Sequence, residues 1–133
     1  MDAKGMREIL FRGKRIDNGE WVEGYFVNLW LIHYQKHQPI ITDNNAVSYD
    51  VDPSTVGQYT GLTDKNGKKI FEGDIMAFTA YGFDYVGTVE FADGSFSVMC
   101  EHASPFLDQA VSKHGAYIIG NMHDNPELLD GAE

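Results

Sequence analysis

The chain has 133 residues, 43% hydrophobic and 13% aromatic, a globular composition long enough to bury a core without a disulfide or metal staple. Twenty acids against ten lysines and arginines leave a net charge of −10, which disfavours a general nucleic-acid binder, because phosphate backbones are held by clustered cations. Cys100 is the only cysteine, which excludes an intrachain disulfide and suits a reducing cytoplasm.

The N-terminus "MDAKGMREILFRGKRI" lacks an apolar signal-peptide core, and runs such as "FVNLWLI" fall short of the ~20 residues that span a bilayer. A soluble intracellular protein, without a membrane partner, is expected. The charge is uneven: residues 1–15 carry +3 and the remainder −13. The basic strip reads as Arg12 and Lys14 on the exposed face of a first strand, blunting a sheet edge.

Strand patterns dominate. "REILFRGKR" sets Ile9 and Phe11 on one face against Arg12 and Lys14 on the other. "DNG" at 17–19 supplies turn chemistry. "EWVEGYFVNLWLIH" reads as one long strand or two short ones, with Trp21 and Tyr25 sharing a face and Val22 and Phe26 the other. "QPIITD" is a further strand with Pro39 at its start, where no ladder N–H is needed. Asp52 can cap a single helical turn opened by Pro53 and limited by Gly57. Further on, "DIMAFTAY", "DYVGTVEF", "SFSVMC" and "GAYIIG" are strands, the middle two joined by a hairpin at "ADG". Short helices are expected near 104–113, ended by Gly115, and near 125–130. No internal repeat is evident.

Chemical motifs fail one by one. "GLTDKNGKKIFEGDIM" (61–76) packs three glycines, three acids and three lysines into sixteen residues. As a calcium loop its glycine comes two residues early and a lysine stands at the fifth ligand slot. As a phosphate loop its spacing is wrong and an isoleucine replaces the magnesium ligand. It therefore reads as a hairpin turn at Asn66 and Gly67, a short strand around Ile70–Phe71, and a second turn at Gly73 and Asp74. His33 and His37 would lie ~13 Å apart on an extended chain, and Cys100 with His102 makes half a structural metal site. No nucleophile elbow and no C-x-x-C is present. Neither catalytic nor metal-binding nor cofactor-binding residues are assigned, and no enzyme activity is expected.

The blocks "REILFRGKRIDNGEWVEGYFV", "VDPSTVGQYTGLTDKNGKKIFEGDIM", "GTVEF" with "GSFSV", and "IIGNMHDNPELL" follow in order, and in this the chain resembles the YopX family of small phage and prophage proteins across about residues 6–130. The resemblance implies a mostly β protein without an assigned enzyme activity. Gly57, Thr60, Gly61, Leu62, Asp64, Gly67, Glu72, Gly73 and Asp74 match the family's turns.

The expected architecture is mainly β: an N-terminal small β-sheet region (1–60), which could serve oligomerisation, and an SH3-like β-barrel with a C-terminal tail (61–133). Such barrels host many functions, so the fold assigns none. The favoured function is a phage- or prophage-encoded accessory protein acting through protein contacts, as a homo-oligomer and with an unidentified protein partner. Trp21, Tyr25, Phe26 and Trp30 are the candidate interface, since aromatics are enriched there; the plainer reading is that they fill small cores. The alternative is a nucleic-acid-binding SH3-like module using the basic N-terminal strand.

Overall fold

The computed structural model describes residues 8–130. The described residues are mainly β, with two antiparallel sheets, one α-helix and two single 3₁₀ turns. The chain divides into two compact units, 1–59 and 60–133. No helix among the described residues is long and apolar enough to cross a membrane.

The first unit holds β1 (Phe11–Lys14), β2 (Trp21–Leu31), β3 (Lys36–Thr42), β4 (Ser48–Asp50) and the start of β5 (Gly57–Thr63), in the order β4-β3-β2-β1-β5. "EWVEGYFVNLWLIH" is a single strand with two successive partners: Trp21–Gly24 pair with β1, and Tyr25–Leu31 pair with β3. The change of partner falls at Gly24. A Cβ there would overlap the Thr42 carbonyl, so only glycine lets β3 pass this closely over β2. The sheet therefore coils on itself. Arg15 bridges Val51, and Asp52 N–H donates to the Lys14 carbonyl. Ile41 and Val51 are fully buried, and a Cβ on Gly13 would meet both. Phe11 and Phe26 sit 5.5 Å apart on the same side.

Two expectations are corrected here. β1 is no edge strand: it lies between β2 and β5, so its cations do not guard an edge. Pro39 lies inside β3, opposite Asn28. Its carbonyl accepts from Val51 N–H, so the side of Pro39 that lacks a donor faces the end of the short β4 and the ladder to β2 is spared.

In the second unit the end of β5 leads through a turn to β6 (Lys69–Phe71). A four-stranded antiparallel sheet follows in the order β10-β7-β8-β9: β7 (Asp74–Ala80), β8 (Phe83–Ala92), β9 (Ser95–Met99) and β10 (Tyr117–Asn121). The expected SH3-like barrel is not closed. The sheet ends at β9 and β10 among the described residues, and the outer edge of β9 is taken by an irregular segment: Val98 N–H donates to the Pro105 carbonyl and Cys100 N–H to that of Ala103. The face of the sheet is covered by helix α1 (Leu107–His114). Leu107 and Ala110 join Ile70, Met76, Phe78, Val89 and Val98 in a buried core. The helix stops as "SKHG" predicts. Gly115 is left-handed at φ 63°, its N–H donates to the Val111 carbonyl as in an αL cap, and the Ala116 N–H donates to the Ala110 carbonyl. The expected 3₁₀ turn at Pro53–Thr55 is present, with Asp52 accepting from Ser54 N–H, as is the turn at Pro126–Leu129.

Candidate functional site

The turn at "TDKNGK" is organised by one carboxylate. Asp64 Oδ1 accepts the N–H groups of Asn66 and Lys68, both at 2.9 Å, and Oδ2 accepts Ile118 N–H from β10 at 3.0 Å. Burial pushes the Asp64 carboxyl up, but the backbone donors of Ile118, Lys68 and Asn66, helped by the Lys68 charge, outweigh it and hold the group below its ordinary value. Both oxygens thus serve backbone donors. Gly67 is left-handed at φ 82°; Asn66 is not, so the turn needs one left-handed residue and not the two its Asn-Gly pair could offer. Asp74, also buried, accepts Phe71 N–H at 2.8 Å. Gly73 at φ 89° ties two strands together, donating to Val89 and accepting from Met122. Gly61, at φ 89°, takes a positive φ within β5. Every residue of this turn set has an architectural task.

The first unit contains a second copy of that turn. In "TDNNAV", Asp43 Oδ1 accepts Asn45 N–H and Val47 N–H, as Asp64 Oδ1 accepts Asn66 and Lys68. The backbone pairs match as well: Asp43 with Val47 and Ala46, Asp64 with Lys68 and Gly67. Ala46, at φ 63°, stands where Gly67 does. The sequence hid this repeat because alanine replaced the telltale glycine.

The four candidate interface residues fall on both faces of β2. Trp21 and Tyr25 project from one face, Phe26 and Trp30 from the other, as their spacing requires. Arg12 lies 4.7 Å and Lys14 5.8 Å from the centre of the Trp21 ring, and Phe26 packs at a tilt against Phe11. These two aromatics are partly buried. Tyr25 and Trp30 are not: they are 69% and 50% exposed. Beyond Val27 the strand continues as a two-stranded arm, with Asn28–Leu31 paired to Lys36–Pro39 and, among the described residues, no third strand beside them. Trp30 meets the His37 ring edge-on at 4.9 Å. The tip adds Ile32, 72% exposed, and Tyr34, 74% exposed, neither of which the candidate set included. Their position after a run of alternating apolar residues could have marked them.

The basic strip is engaged locally. Besides Arg12 and Lys14, Arg15 lies 4.6 Å from the Tyr49 ring centre and pairs with Asp17 at 2.6 Å and Glu20 at 3.7 Å. Lys4 and Arg7 lie outside the described residues. His33 falls in the arm's turn and His37 in β3, and no described trio of His, Cys, Asp or Glu side chains gathers as a metal site would require.

Residues 10–130 match the sequence model of the YopX family, described as YopX protein. The chain belongs to the YopX family. No curated protein matches it in sequence. Among solved structures this YopX chain is similar to the crystal structure of protein EF1440 from Enterococcus faecalis, with 27% identity, a TM-score of 0.58, and coverage of 92% of this chain and 99% of that one.

Proposed function

We propose that this YopX-family chain is a phage- or prophage-encoded accessory protein of the bacterial cytoplasm that works through protein contacts and not through catalysis, and that it self-associates through the β2–β3 arm. The observation that carries the reading is the arm itself. A lone two-stranded hairpin is marginal in water, yet this one displays Leu29, Trp30, Ile32 and Tyr34 to solvent. Apolar side chains on both faces of an unsupported ribbon gain stability by docking. A second copy is the favoured cover, because two identical arms can pair edge to edge about a two-fold axis and protect both free edges. Nucleic-acid binding through the N-terminal strand has no comparable support, since Arg12, Lys14 and Arg15 already stack on aromatic rings or pair with acids. Light scattering on the native chain and on Trp30→Glu tests the proposal: a multiple of one chain mass that dissociates in the variant is expected.

A further inference from the structure

The β7–β8 and β8–β9 hairpins are closed by the same two-residue turn. Asp93 and Gly94 have φ of 54° and 82°, and Tyr81 and Gly82 have φ of 54° and 82°. Asp-Gly is a favoured pair for this mirror-image turn, because aspartate tolerates the left-handed region. A tyrosine does not: a bulky residue at positive φ is a true outlier and carries strain. The strain is not repaid by burial, for Tyr81 is 86% exposed. Its ring instead stands edge-on to His114 at 5.7 Å.

That ring forms one wall of a cavity of about 440 Å³ between the β7–β8 hairpin, the segment before α1 and the last turn of α1. Its floor is a run of aromatic faces, Phe78 stacked on Tyr85 at 5.2 Å and on His114 at 5.9 Å. Phe106 lines it from the segment before α1. The volume falls within the ~300–1,000 Å³ usual for small-molecule sites. Lys113 brings a cationic side chain to the lining, and no acid is among the lining residues described, although the chain as a whole carries −10. We propose that this cleft binds a small planar aromatic anion: the flat ring stacks against the aromatic floor and Tyr81, and the anionic group faces Lys113.

Two sources share that chemistry, a mononucleotide and an aromatic carboxylate. The test is fluorescence titration of the full chain with 8-anilinonaphthalene-1-sulfonate, followed by displacement with AMP or with indole-3-acetate. Adenosine and indole serve as uncharged controls. One saturable site is expected, displaced by one of the two anions, whose identity names the source, and at least tenfold less well by its uncharged control. Tyr81→Asn should weaken binding at least tenfold while raising the melting temperature by about 3 °C, because it relieves the turn. Lys113→Gln should weaken the anion about fivefold and leave the melting temperature in place. The proposal is overturned by equal affinity for charged and uncharged rings, by unchanged binding in Tyr81→Asn, or by a lower melting temperature in that variant, which would make the ring structural. It is also overturned if no probe binds and Tyr81→Asn lowers the particle mass, since the cleft would then hold a side chain from a second copy.

Discussion

Asp64 holds three backbone N–H groups, and its removal strips all three of a charged acceptor. Asp64→Ala should cost about 3 kcal/mol, read from chemical denaturation. Its folded pKa lies below the unfolded value, so the charge stabilises the fold above the ordinary carboxylate pKa, and that contribution is lost as pH falls through the lowered folded value. The native chain should therefore lose stability on acidification through that window, and Asp64→Asn should lose less over the same range. Because both carboxylate oxygens are committed, millimolar calcium should leave the melting temperature of the native chain unchanged. The twin turn offers the opposite experiment. Ala46→Gly removes a left-handed alanine and should stabilise by about 1 kcal/mol, whereas Gly67→Ala should destabilise by a similar amount. Cys100 is a further residue with a definite expectation: burial pushes its thiol up to about 11. At pH 8 only about one molecule in a thousand would carry the thiolate, so a disulfide reagent should label native Cys100 far more slowly than the unfolded chain.

At the scale of elements, Gly24 decides the first unit. The alternation of apolar residues runs straight through it, and nothing in "VEGYF" says that β2 changes partners there. From the sequence, residues 1–60 therefore read only as a small β-sheet region that could serve oligomerisation. The coil of the sheet instead buries Ile41 and Val51 within the unit, while the arm beyond Val27 leaves Leu29, Trp30, Ile32 and Tyr34 exposed. Gly24→Ala should disrupt the packing of β3 on β2 and cost at least about 3 kcal/mol, because the clash is with backbone and cannot be relieved by a rotamer. Where local chemistry was unambiguous the elements were legible. "DG" at 93–94 closes its hairpin, "DPST" makes one 3₁₀ turn, and "KHG" ends α1. Where a turn used an unfavoured residue, as at Ala46 and Tyr81, it was missed. The cleft was missed for a related reason: Phe78, Tyr85, Phe106 and His114 come from separate segments, and no spacing along the chain brings them together.

For the whole molecule, the sequence carried family and class further than function. Ordered blocks with turn glycines identify a YopX-family chain, and alternation identifies it as mainly β. The SH3-like closure was not legible, because the pattern of "EGDIMAF", "YVGTVEF" and "SFSVMC" specifies three strands but not what lies along the edge of β9; the 103–106 segment takes that edge. Of the four candidate interface aromatics, the structure leaves two accessible and folds two into local contacts, which sequence spacing could not separate. If the arm is the contact surface, its amides should exchange slowly in the assembly and fast in a dissociated variant, since a lone ribbon has no third strand to protect it. The most direct measurement is multi-angle light scattering at micromolar concentration on the native chain and on Trp30→Glu. The expected result is a mass of at least two chains of 14.9 kDa for the native protein, and a single-chain mass with an unchanged far-ultraviolet β spectrum for the variant. A native mass of one chain, or a Trp30→Glu chain that unfolds, would contradict it.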